Sequence, residues 1–316
     1  MRRGGLNALY LMLVVAIALL SACSRGEEKA RGGELQVVAT LFPIYDFARQ
    51  VGGDKVEVRL LLPPGMEAHS FEPRPEDILR MNRADLFLYT NKYMEPWGAK
   101  LLAGISNKRL LVVEAGAGAS LLPAGDAEPG EGHAGHGHGE GMDPHIWLDV
   151  DNARKMVDNI ADGFARQDPA NREVYLRNAA AYKAKLAALD ERFRSRLSNC
   201  STRMFMHGGH FAFGYLAKRY GLTYFSAYAI SANAEPSPKK VMELVNRIRE
   251  HNLRAIFYEE LISPAMAETI SRETGAELVK VHGIHNVSRD EMDRGVTYLS
   301  LMEQNLESLA KGLQCR

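Results

Sequence analysis

The run from Asn171 to Leu197 constrains the fold most, because Tyr175, Ala179, Tyr182, Leu186, Leu189 and Phe193 recur in it at threes and fours. That spacing is one apolar stripe of a helix. About 27 residues at about 1.5 Å each make a rod of about 40 Å, enough to run the height of a molecule and join two lobes. A second helix-patterned stretch, Asp151 to Asp168, precedes it and breaks at Asp168-Pro169. On either side, short apolar runs alternate with helical segments. Before the rod come Glu34–Leu41, Lys55–Leu62, Asp85–Tyr89 and Arg109–Val113; after it come Arg203–Met206, Thr223–Ile230, Ala255–Tyr258 and Glu277–Val281. Strands alternating with helices imply parallel sheets covered on both faces. The expected class is therefore α/β, with two lobes that each hold a mostly parallel sheet flanked by helices. Residues 34–150 form the first lobe, 151–198 the helical connection and 199–316 the second lobe.

The N-terminus reads MRRGGLNALYLMLVVAIALLSACS. Its apolar run is shorter than the roughly 20 residues of a membrane span, and its charged start and small-residue end are those of a secretory signal over 1–22. Leu20-Ser21-Ala22-Cys23 resembles a bacterial lipobox, which makes Cys23 the expected lipidated N-terminus and 23–33 a polar tether. The mature chain is then expected outside the cytoplasm, anchored by lipid to a bacterial membrane. Loss of Arg2 and Arg3 leaves 37 basic against 39 acidic residues, so nothing attracts nucleic acid. In an oxidising compartment Cys200 and Cys315 are expected to form a disulfide, two separate buried thiols being the alternative.

Histidines far apart in sequence each sit in a short, distinctive context: His69 in PPGMEAHSFEPRPED, His145 in MDPHIWLDVDNA, His210 in MFMHGGHFAFGYLAKRYGL, and His282 with His285 in VKVHGIHNVS. Neutral imidazole is a common ligand for zinc, and a closed site wants about four donors. Ligands drawn from both halves of the chain place the site in a cleft between lobes. Residues 116–141 hold His133, His136 and His138 in a Gly-rich stretch that is expected to be a mobile surface loop sampling metal weakly. His207 and His251 lack a comparable context and are expected to be structural.

Taken in order, VVATLFPIYDFARQVGGDKVEV, the block around His69, DPHIWLD, the block around His210, AEPSP at 234–238, IFYEE with TISRETGA, and VTYLSLMEQNLESL carry a family resemblance. Over residues 34 to 313 the chain resembles the zinc- and manganese-binding solute-binding proteins of bacterial ABC importers, the TroA-like or ZnuA-like family. The resemblance implies that His69, His145 and His210 are metal ligands. It also implies that the chain, as a monomer, hands metal to a membrane permease driven by a cytoplasmic ATPase. Many members place a carboxylate just past the last strand of the second lobe, where this chain reads VKVHGIHN. His282, directly after that strand, is the expected fourth ligand, with His285 second. Imidazoles without thiolate favour Zn²⁺ over Mn²⁺, whose sites are richer in carboxylate. Manganese import or a surface adhesin on the same scaffold is the alternative function. A zinc metallohydrolase using Glu259 or Glu260 as base is the rival from another class, opposed by the lack of an HExxH helix or nucleophile elbow. The chain is therefore not expected to be an enzyme.

Overall fold

The computed structural model describes residues 34–69, 71–124, 141–228 and 238–316. The signal, the tether, Cys23, His133, His136, His138 and most of AEPSP lie outside the described residues. No helix among the described residues is long and apolar enough to cross a membrane.

The first sheet contains β1 (Leu35–Ala39), β2 (Val56–Leu60), β3 (Leu86–Tyr89) and β4 (Leu111–Glu114), all parallel, in the order β2-β1-β3-β4. The second contains β5 (Met204–His207), β6 (Thr223–Ser226), β7 (Ala255–Glu259) and β8 (Glu277–Val281), parallel in the order β6-β5-β7-β8. The helices in chain order are α1 (Phe42–Gly52), α2 (Pro75–Met81), α3 (Gly98–Ala103), α4 (Val150–Gln167), α5 (Arg172–Arg196), α6 (Gly214–Tyr220), α7 (Pro238–Glu250), α8 (Ala265–Thr274), α9 (Arg289–Asp293) and α10 (Tyr298–Gly312). Both expected α/β lobes are therefore present.

The rod is α5, 25 residues long, and its buried residues are the same six that set the periodicity. It packs on α4, α1 and α10, helices drawn from both ends of the chain. Strand pleating divides the second lobe's core. Phe205, Tyr224 and Phe257 join the main core, while their neighbours Met206, Phe225 and Ile256 face Leu244, Val245, Ile248 and Ile270 of α7 and α8. In the first sheet Val37, Val38 and Ala39, like Leu86, Phe87 and Leu88, are buried on both faces, the pattern of a covered parallel sheet.

Cys200 and Cys315 are joined, fixing the C-terminal residues beside the chain that enters β5. The described stretch of the Gly-rich segment at residues 116–124 is not the loose loop expected of 116–141. Gly116 N–H donates to the Thr90 carbonyl at 2.9 Å, Asn159 donates to Ala117 O at 2.8 Å, and Pro123 bridges Met142. The segment up to Ala124 is thus held by backbone bonds that its composition does not disclose.

Candidate metal centre

All strands of each sheet run parallel, and ligands of open parallel sheets bind beyond the strands' C-terminal ends. His69 follows β2, His145 follows β4, His210 follows β5 and His285 follows β8. Their donor atoms all lie within 4.8 Å of one another. His145, His210 and His285 are buried and His69 is half-buried. Nε2 of His145 stands 3.3 Å from Nε2 of His69 and 3.4 Å from Nε2 of His210.

The other face of each ring explains this convergence. His145 directs Nδ1 at Asp143 Oδ1, 2.6 Å away, and its backbone N–H donates to the same oxygen at 3.0 Å. His210 does the same with Glu259 Oε1, at 2.6 Å from Nδ1 and 2.8 Å from N–H. A carboxylate on Nδ1 keeps the proton there and leaves the Nε2 lone pair free to face the cleft. At His69 the backbone N–H donates to Glu67 Oε1 at 2.8 Å, which fixes the turn carrying the ring. Gly209 permits the Glu259 contact, since a Cβ there would stand 2.2 Å from Oε1.

Lone pairs facing each other at these distances repel unless a proton or a metal cation lies between them. Nitrogens about 2.0–2.1 Å from a tetrahedral zinc ion stand about 3.3–3.4 Å apart, so the observed spacings suit such an ion. His285 Nε2 is buried with no hydrogen-bond partner, a further donor left for a metal. Burial, reinforced by the neighbouring rings, holds His145 and His285 well below the usual imidazole range and His69 down to about 4. Burial also opposes the charged form of His210, but Glu259 outweighs it and raises the pKa. Burial pushes the Asp143 carboxyl up to about 7.

His282 is not in the quartet, and His285 takes the place expected of it. The His282 ring turns back on its own loop. Its Nδ1 accepts the Ile284 N–H at 2.9 Å and lies 3.1 Å from Glu260 Oε1, and its Nε2 lies 3.7 Å from Glu291 Oε2. Ile284 then adopts a left-handed φ of 63°, which reverses the chain and brings the next residue, His285, into the cleft. Direct succession to a strand end therefore does not bring the His282 ring into the cluster. His207 is buried against the Tyr224 hydroxyl, 3.0 Å from Nδ1, and burial lowers it to about 4; His251 is exposed. Neither joins the centre.

Asp143 and Glu259 escaped the sequence as orienting groups. Asp143 could have been found from its place two residues before His145, but Glu259 is 49 residues from His210 with no local signal.

The family model described as "Zinc-uptake complex component A periplasmic" matches residues 37–312. The chain is 36% identical to a Bacillus subtilis protein named high-affinity zinc uptake system protein ZnuA, covering 96% of both chains. It is also 36% identical to the zinc-binding lipoprotein AdcA of Streptococcus pneumoniae, over 96% of this chain but only 60% of that protein's length. The crystal structure of the Zn(II)-bound ZnuA-like domain of pneumococcal AdcA superposes with a TM-score of 0.75 at 33% identity, covering 89% of this chain and 99% of the other.

Proposed function

Because the chain belongs to the ZnuA family of periplasmic zinc-uptake components, we propose that it captures one Zn²⁺ with His69, His145, His210 and His285 and delivers it to the membrane permease of an ABC importer. The observation that carries this function is the convergence of Nε2 atoms at 3.3 and 3.4 Å, two of them on rings whose opposite nitrogens meet buried carboxylates. Four imidazole nitrogens without a carboxylate among them favour zinc over manganese, and geometry rather than raw affinity must discriminate against copper.

A catalytic zinc keeps an open position for water. Here His285 completes the quartet, Glu259 is engaged by His210, and Glu260 accepts the Gly283 N–H at 2.9 Å. Neither carboxylate is placed to act as the base of a hydrolase. The chain is a transport component, held outside the cytoplasm by lipid on Cys23, and works as a monomer with a permease and its ATPase.

A competition titration of the metal-free protein tests the site. One equivalent of zinc should bind tightly, and alanine at any of the four histidines should weaken it. Parent-like titration by His69→Ala, His145→Ala and His210→Ala would overturn the assignment.

A further inference from the structure

The turn from His282 to His285 has a partner for six of its eight backbone polar groups. Asn305 of α10 receives the His282 N–H at 2.6 Å and donates to its carbonyl at 2.8 Å. Glu260 receives the Gly283 N–H at 3.1 and 2.9 Å, and the Trp147 indole donates to the Gly283 carbonyl at 2.9 Å. The Phe42 N–H donates to the His285 carbonyl at 3.1 Å. The Ile284 N–H is taken by a side chain, Nδ1 of His282 at 2.9 Å. This residue most needs holding, because a β-branched side chain at a φ of 63° is a conformational outlier that persists only when its surroundings enforce it.

We infer that His282 is a positioning residue for metal capture: its Nδ1 closes the turn on Ile284 and so aims the His285 ring at the other three histidines. The inference rests on the zinc quartet proposed above. A side chain that accepts the N–H two residues ahead is the device of Asn and Asp in tight turns, here carried out by an imidazole. Accepting at Nδ1 places the ring's proton on Nε2, which faces Glu291. That carboxylate is itself locked by the Ser288 N–H at 2.8 Å and the Ser288 hydroxyl at 2.9 Å. The hydrogen bond that fixes the ring is the one at Nδ1; Nε2, buried 3.7 Å from Glu291 Oε2, makes none. Gly283 belongs to the same device, since a Cβ there would stand 2.7 Å from His285 Nδ1 and displace the ring.

The test compares His282→Ala, His282→Asn and His282→Gln with His285→Ala, using zinc competition titration and the visible absorption of the Co²⁺-loaded proteins. Asn offers an acceptor where Nδ1 stood, while Gln sets it one carbon farther out. His282→Ala and His282→Gln should bind zinc about 10–100-fold more weakly, the usual loss for a group that orients a ligand. Their cobalt spectra should move toward that of His285→Ala, whereas His282→Asn should stay near the parent. His282→Ala added to His285→Ala should weaken zinc little further, because both remove the same ligand. Should the alanine variant fail to fold, the contrast between Asn and Gln still decides. If His285→Ala binds zinc weakly but His282→Asn behaves like His282→Gln, or the double variant shows additive losses, the positioning role is wrong. A parent-like His285→Ala would overturn both this role and the ligand set proposed above.

Discussion

The two lobes share one sheet order, yet the crevices where that order reverses are used in opposite ways. In the first lobe, between β1 and β3, the crevice is closed by Glu95. Its carboxylate accepts the Thr40 hydroxyl at 2.5 Å, the Thr90 N–H at 3.1 Å, the Thr90 hydroxyl at 3.0 Å and the Asn91 N–H at 3.1 Å. In the second lobe, between β5 and β7, the corresponding crevice holds His210 against Glu259, with the ring pointing out toward the other lobe. Both crevices bury a glutamate among donors, as the strand ends require. They differ in what is donated. Where all donors are backbone and hydroxyl groups, the glutamate seals the sheet; where one is an imidazole, the glutamate orients a ring whose other nitrogen faces the histidine cluster. A shared fold thus places the polar groups, and one side chain decides whether they bind a cargo.

Substitutions at the two crevices should separate these roles. The largest effect is expected from His210→Ala, which should weaken zinc by more than about 100-fold, beyond the range of an orienting group. Glu95→Ala should leave zinc affinity of the folded protein unchanged. Equal zinc loss from both in a competition titration would break the comparison.

Next come Glu259→Gln and Asp143→Asn, each expected to weaken zinc by about 10–100-fold. They should differ in pH dependence. Glu259 raises the pKa of His210, while burial depresses those of His145 and His285, so His210 is the first of these buried ligands to take a proton as pH falls. Zinc affinity should therefore drop on acidification. In Glu259→Gln the drop should begin at lower pH, because the amide no longer stabilises the imidazolium, although Glu67 and Glu260 still face the ring. Titrations across mildly acidic pH check this, and an unshifted drop would remove Glu259 from that role.

Glu95→Gln should cost about 1–3 kcal/mol of stability, since an amide NH₂ must face backbone donors. Burial raises the Glu95 pKa from its ordinary 4.5 to about 7 against the lowering effect of its hydrogen bonds. The folded protein thus holds a proton that the unfolded chain has released across that window, and this contribution to stability falls as pH rises from 4.5 to about 7. In the glutamine variant that part of the slope should vanish, as denaturant melts at several pH values would show. The smallest effect is expected from Thr40→Val, which removes one of the donors to Glu95 and should cost about 0.5–1.5 kcal/mol with zinc binding untouched.

The sequence by itself determined the features whose physics is short-range. The stripe from Tyr175 to Phe193 drew the long helix because helical periodicity is a local property. Alternating apolar runs marked the two parallel sheets for the same reason. His69 and His145 were legible, and so in principle were their carboxylates, because Glu67 and Asp143 stand two residues ahead and need only a turn to reach the backbone N–H. Only the tertiary structure decided the rest. Glu259 reaches His210 because β5 and β7 are neighbours in a sheet whose order no local pattern states. The placement of the His285 ring beside the other three histidines, with His282 turned away, accompanies a left-handed conformation at Ile284. The loop is also stitched to the opposite lobe, where Asn286 donates to the Pro63 and Met66 carbonyls at 2.7 and 2.9 Å. Bonds between residues more than 200 positions apart form only once the sheets have set the distances, so the direction of a side chain in such a loop is a property of the whole fold.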